Sequence, residues 1–202
     1  TLPRPARGGG AGGHLLHGLV DYRVLLKHER SPHRLAGRPG HRCGCRGRTC
    51  RLLPGRRLLG QRELFHAQWG QGAFLDQQPL RVSPAAQLRE ALFATGFPYQ
   101  DFSRMTAFSE LMNHFFQHSR GLRRLGSAAT DLAYVACGRF SGFFEYGLAP
   151  WDVAAGALLV HEAGGQVTDF SGGPDYLFSA EIAAASTVLH PELQRLIARY
   201  MS

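Results

Sequence analysis

Lysine is almost missing from this chain: of 23 Lys+Arg in 202 residues, only Lys27 is lysine. An arginine bias of that size points to a GC-rich gene. Long apolar runs are also missing. The longest, Val153 to Val160, is far short of the ~20 residues a bilayer-spanning helix needs, so no membrane span is expected. No charged start leads into an apolar stretch and a small-residue cleavage site, so no secretory signal is expected either. The chain opens on Thr1 rather than methionine, which leaves its natural start open. Four cysteines are too few for a disulfide-framed mini-protein, and no collagen or heptad period is present. What is there, 44% hydrophobic and 19% charged residues, suffices for one ordinary core, or one core plus a tail.

The net charge of +8 conceals two kinds of sequence. Residues 1–62 hold 14 Lys+Arg against 2 Asp+Glu, whereas residues 63–202 hold 9 against 13. The first segment also holds 12 of the 25 glycines and three of the four cysteines, Cys43, Cys45 and Cys50. From Arg34 to Arg57, Gly and Pro break every incipient period, so neither helix nor strand propagates. Only Leu15 to Leu26 predicts a short element.

Three readings of this segment stay open. It is a basic arm that neutralises nucleic-acid phosphates, although only Tyr22 is available for base stacking. It is a metal site of His41, Cys43, Cys45 and Cys50, although Cys-x-Cys departs from the usual zinc spacing. Or it is a stretch read out of frame, since a GC-rich gene misread in this way yields Arg, Gly, Pro and Cys.

From Glu63 the texture changes. Glu63 to Ala67, Ala73 to Leu75 and Leu80 to Ser83 predict an antiparallel meander, with Asp76-Gln77-Gln78-Pro79 as a turn. Ala91 to Thr95 predicts a buried strand. Ser103 to His118 predicts a helix, with Met105, Phe108, Leu111, Met112, Phe115 and Phe116 at helical spacing. A brief strand follows at Leu122 to Leu125, then a helix packed through small residues at Ser127 to Cys137. Gly142 to Gly147 reads as a strand and Trp151 to Ala163 as a helix stopped by Gly164-Gly165. Strands at Val167 and at Ile182 to Ala185 precede a helix from Pro191 to Tyr200. Strands alternating with helices from about residue 90 predict an α/β layered domain. Its ligands would gather at strand ends and helix N-termini.

The most informative stretch runs from Gly142 to Gly165. Pro150 precedes a helix start, and Asp152 falls in its first turn, where a carboxylate gains from the helix dipole. The plain reading makes Asp152 a cap. Ala154, Ala155, Gly156 and Ala157 form a thin face suited to close packing.

This stretch resembles the C-terminal signature of the inositol monophosphatase family, Mg²⁺-dependent and lithium-sensitive phosphomonoesterases. The match runs through Trp151-Asp152, the small residues to Ala157, the aliphatic Leu158-Leu159-Val160, and Glu162-Ala163-Gly164-Gly165. Gly126-Ser127-Ala128-Ala129 resembles the family's Gly-Ser/Thr-Ala-Ala helix. Glu63-Leu64-Phe65, Gly70 to Phe74 and Ala94 to Pro98 are similar too. The resemblance spans about residues 63–200, closest to the bacterial branch, and divides the chain into a basic segment, 1–62, and a family-like domain, 63–202. It implies a layered αβαβα sandwich with an incomplete N-terminal half, and a cytoplasmic protein of dimeric kin. By the same resemblance Asp152 would ligate Mg²⁺ and Glu145 would accept hydrogen bonds from substrate hydroxyls. Gly126, Ser127 and Ala128 would offer amides and a hydroxyl to a small phosphate ester. Glu162 and His161 are read as a solvated helix face, His114 and His118 as surface residues, and Cys137 as a reduced thiol among apolar neighbours.

Relatives also carry Glu-Glu and, later, Asp-Pro-x-Asp-Gly-Thr, which supply most metal ligands. This chain has neither, and its only acids before Glu63 are Asp21 and Glu29. Where the Asp-rich motif belongs, Lys27 to Arg34 reads KHERSPHR. One Asp cannot neutralise a cluster of Mg²⁺ ions, so weak or absent catalysis is expected of the chain as written, together with exposed apolar patches. The function classes that follow are an inositol-phosphate or sugar-phosphate phosphatase, with nucleotide 3′-phosphatases and histidinol-phosphatases as rivals. Against them stand a non-catalytic relative acting in transcription antitermination or RNA binding, and a product without function. Translating the other two frames of the gene upstream of Glu63 is expected to recover Asp-Pro-x-Asp-Gly-Thr; its absence from both would remove the frameshift explanation.

Overall fold

In a computed structural model, the structure describes residues 63–99 and 101–201, and before them only the backbone of Arg23–Val24 and Thr49–Leu53. The short element read over Leu15 to Leu26 is represented by Arg23–Val24 alone. The basic arm and the His41, Cys43 and Cys45 ligands lie outside the described residues.

Five strands form an antiparallel sheet in chain order: β1 (Arg23–Val24), β2 (Thr49–Leu53), β3 (Phe65–Gln68), β4 (Gly72–Leu75) and β5 (Gln78–Pro79). The meander is therefore present, but its last strand is Gln78–Pro79 rather than Leu80 to Ser83. The turn is only Asp76-Gln77, because Leu75 pairs with Gln78. Asp76 makes this possible by adopting φ 54°, a conformation a short polar side chain tolerates. Pro79 lacks an N–H and sits on an edge strand, where none is needed.

The second sheet is mixed. After β6 (Phe93–Thr95) come α1 (Met105–His118), β7 (Leu122–Arg123), α2 (Ala128–Ala136), β8 (Gly142–Tyr146), α3 (Pro150–Glu162), β9 (Gly165–Thr168), β10 (Glu181–Ser186) and α4 (His190–Met201). Its strand order is β7-β6-β8-β10-β9, with β6 parallel to both β7 and β8 and the remaining pairs antiparallel. Each element lies within a few residues of its sequence reading.

Alternation along the strands splits the core in two. Ala94, Phe143, Ile182 and Ala184 face α2 and α3, joined from the other side by Phe65, Ala67 and Ala73 of the antiparallel sheet. Phe93, Phe144, Ala183 and Ala185 face α1 and α4. The layers are thus sheet, α2/α3, mixed sheet, α1/α4. On α1 the spacing turns Phe108, Leu111 and Phe115 inward and leaves Phe116 exposed. Trp69, Phe97, Tyr99, Phe102, Trp151 and Phe178 are also exposed. Cys137, half-buried at the end of α2, directs its thiol to the Tyr134 carbonyl, and burial pushes its pKa up.

The thin face of α3 does what its composition suggests. A Cβ on Gly156 would lie 2.4 Å from Cβ of Leu132, so the absence of a side chain at Gly156 is what lets α3 lie against the Leu132 side chain of α2. Glu162 and His161 are not a solvated face. The Glu162 carboxylate accepts the Gly70 and Gly72 amides, each at 2.8 Å, and so holds the β3–β4 turn. His161 is half-buried, its ring 6.4 Å from Trp69 and 6.3 Å from Tyr176. No described helix is long and apolar enough to cross a membrane. Gly156→Ala should lower stability by about 1–3 kcal/mol through overpacking against Leu132. Urea denaturation of the two proteins checks this, and an unchanged midpoint would contradict it.

Candidate functional site

β6 and β8 run parallel as neighbours, so their C-terminal ends emerge at the same sheet edge. Thr95 Oγ1 donates to the Phe144 carbonyl at 2.7 Å and ties those ends together. Just beyond, the Glu145 carboxyl lies over the backbone of Gly96: a Cβ there would come within 2.1 Å of its carboxyl carbon. Only glycine leaves that space. Glu145 is 5% exposed.

From β8 the chain turns through Gly147, at φ 81°, whose amide donates to the Ala180 carbonyl. Pro150 then opens α3 with its φ already helical and no amide to leave unpaired. Asp152 sits in its first turn. Its Oδ2 accepts the Ala149 amide at 2.9 Å, so the capping reading holds as geometry. The side chain is half-buried all the same. Burial raises its pKa, and the Ala149 amide partly offsets that rise.

The start of α2 converges on the same edge. Gly126 adopts φ 88°, and Ser127 follows in extended backbone at the N-cap position. The Ser127 carbonyl accepts the Thr130 and Asp131 amides, but its hydroxyl caps nothing. Ser127 Oγ and the first-turn amides of Ala128 and Ala129 are therefore not spent on a side-chain cap.

Two residues that sequence reasoning passed over complete the electrostatics. Asp131 is 1% exposed, and its Oδ1 has no hydrogen-bond partner. Burial, then the charge of Glu145, pushes its pKa up to about 8, against the pull of Arg124. Glu145 is likewise pushed up to about 8 by burial and by Asp152, again opposed by Arg124. Arg124 is exposed, donates to the Tyr99 hydroxyl at 2.8 Å and lies 5.5 Å from the Phe97 ring centre. The available signal for Asp131 was positional. It lies four residues after Ser127, on the same helical face, as a lone acid among small and apolar residues.

Asp152, Glu145 and Asp131 thus form a chain of carboxyls, each felt by the next. Among the described residues, no three His, Cys, Asp or Glu side chains are placed to hold a metal ion. Mg²⁺ demands a near-octahedral oxygen shell. Asp152 has one oxygen already engaged by Ala149 and, among the described residues, has no two companion ligands placed beside it. The described residues alone do not fit that ion.

The sequence profile of the inositol monophosphatase family matches residues 57–202. The chain belongs to that family. Nus factor SuhB from Escherichia coli K12 is 50% identical over 124 residues, 61% of this chain and 46% of that protein. A putative Nus factor SuhB from Neisseria meningitidis serogroup B is 42% identical over 139 residues, 69% and 53% of the two chains. The chain therefore spans about half the length of the curated relatives it matches. Among solved structures, inositol monophosphatase from Anabaena superposes with a TM-score of 0.67 at 36% identity, covering 76% of this chain and 59% of that one. The Thermotoga maritima enzyme gives 0.62 at 32%, covering 76% and 61%.

The raised carboxyls fix the sign of a pH dependence. Unfolded, Asp131 releases its proton near its ordinary pKa of 3.8; folded, it holds the proton to about 8. Between those values the folded state binds the extra proton, so stability falls as pH rises. Asp131→Asn removes that loss. It should be more stable than the parent by about 1–3 kcal/mol at pH 8 and nearly equal to it at pH 4.5. Parallel melting profiles across that range would contradict this.

Proposed function

We propose that this chain is a Nus-type member of the inositol monophosphatase family, acting through RNA or the transcription machinery rather than as a self-sufficient phosphatase. The observation that carries this reading is the shortage of carboxylates. The chain contains neither Glu-Glu nor Asp-Pro-x-Asp-Gly, and Asp152 stands without two companion ligands among the described residues. Two or three Mg²⁺ ions in one pocket repel strongly unless several carboxylates neutralise them. The likeness to Nus factor SuhB supports the same reading. So do the exposed Arg120, Arg123 and Arg124, the last of them beside the exposed Phe97 and Tyr99, which together offer phosphate attraction and stacking surface.

A second reading is favoured by the uncapped Ser127 hydroxyl and by the Glu145 carboxyl lying over Gly96. In it the chain keeps the substrate-facing half of a phosphomonoesterase. Glu145 accepts substrate hydroxyls, Gly126, Ser127 and Ala128 present donors to the ester, and Asp152 contributes one ligand to Mg²⁺. A cytoplasmic homodimer, divided at about residue 62, accompanies either reading.

Both are tested on the full chain. Filter binding to RNA should show salt-dependent affinity, weakened by Arg123→Ala with Arg124→Ala by about tenfold at moderate salt. Alongside it, retention of that affinity in a chain lacking residues 1–62 assigns it to the domain, and its loss with the domain's circular dichroism unchanged assigns it to the basic segment, since the deletion also removes β2. Phosphate release from inositol monophosphate with Mg²⁺ should not exceed that of Asp152→Asn. Turnover abolished by Asp152→Asn would overturn the first reading in favour of the second.

A further inference from the structure

α4 covers the face of the mixed sheet away from α2 and α3, and its first two turns are tied to the outermost strand, β9, by side chains that the candidate site does not use. His190 opens α4 and is 2% exposed. Its Nε2 lies 3.1 Å from Thr168 Oγ1 of β9. Gln194, one turn further along α4, donates its side-chain amide to the same Thr168 oxygen and, at 2.8 Å, to the Asp169 carbonyl. These contacts fix the direction of the chain. The Asp169 carbonyl can only accept, which sets the amide nitrogen of Gln194 toward it and toward Thr168. Thr168 Oγ1 therefore accepts from Gln194. Thr168 is itself buried, and its own hydroxyl hydrogen is left to His190 Nε2. His190 thus keeps a lone pair at Nε2 and its proton at Nδ1. A second ring proton would meet the hydroxyl hydrogen head on, or force it away from its acceptor inside a buried contact.

We propose that His190, Thr168 and Gln194 form a proton-operated latch, which holds the head of α4 to the edge strand β9 while the imidazole is neutral and releases it on acidification. Among the described residues, no carboxylate acts on the ring to favour its charged form. At the end of β9, Asp169 turns Oδ1 to the Ser171 hydroxyl and the Gly173 amide, each at 2.7 Å. On α4, Glu192 pairs with Arg195. β10 meets the ring through the Ala183 backbone. α1, which shares an apolar cluster with α4, brings His114 to Tyr200 at the far end of that helix. Burial accordingly holds His190 below its ordinary pKa of 6.5, and the Ala183 backbone offsets this only in part. The closed latch binds fewer protons than the open one, so its stability is fully present above pH 6.5 and is lost as pH falls below that value. Opening it uncovers apolar surface, because Leu193, Leu196 and Ile197 of α4 share a buried cluster with Phe93, Phe144 and Ala185 of the sheet.

The test is hydrogen exchange by mass spectrometry on the full chain at pH 7.5 and 5.0, with each rate divided by the intrinsic rate at that pH. Peptides covering residues 190–196 should exchange about tenfold faster on this scale at pH 5.0. His190→Gln offers Thr168 an acceptor that does not titrate, so it should lose this response, whereas His114→Gln should retain it. The parental response persisting in His190→Gln, or no response in the parent, would overturn the latch. Long-range ¹H–¹⁵N spectra of the parent's imidazoles give a reading that needs no variant. His190 should be the Nδ1–H tautomer and stay neutral at pH 5.5 in the closed protein. An Nε2–H tautomer, or protonation near pH 6.5 with α4 still protected from exchange, would equally overturn it.

Discussion

The contact between α2 and α3 is the constraint on which the rest of the structure depends. Gly156 lets α3 lie against Leu132, and the sheets then close on the helix pair from either side. Both helices start at the same sheet edge as a result. That places Gly126-Ser127-Ala128 and Asp152 around the end of β8. A side chain at position 156 would separate the helices and move both starts relative to Glu145.

Convergence has an electrostatic cost. Asp152, Glu145 and Asp131 draw together in a partly dry pocket, and among the described residues the cation that acts on the inner two is Arg124 at the rim. Burial and mutual repulsion therefore favour protonated acids near neutrality. A divalent cation with adequate ligands would reverse that balance by stabilising the charged forms. Among the described residues too few oxygens are placed to attract one, and the two features reinforce each other.

The fold was largely legible in the sequence because its signals are local. Period 3.6 on α1, small residues on α2 and α3, and glycines at element ends all mark structure within a few residues. The misreading of Leu80 to Ser83 had a local cause as well, since nothing but the φ of Asp76 shortens the turn and moves the strand forward. Long-range relations were less visible. Glu162 reads as a surface acid on a helical wheel, and only the fold brings the Gly70 and Gly72 amides to it. Asp131 looked like a helical polar residue until packing enclosed it. Asp152, Glu145 and Gly126-Ser127-Ala128 were singled out by resemblance, and the structure sets them around one strand end without assigning their roles.

The Glu162 bonds fasten the foot of α3 to the other sheet. Glu162 grips the β3–β4 hairpin through two backbone amides, whereas the bond from Ala149 to Asp152 closes the helix's own first turn. A displacement of that hairpin is therefore felt first at the end of α3 farthest from Asp152.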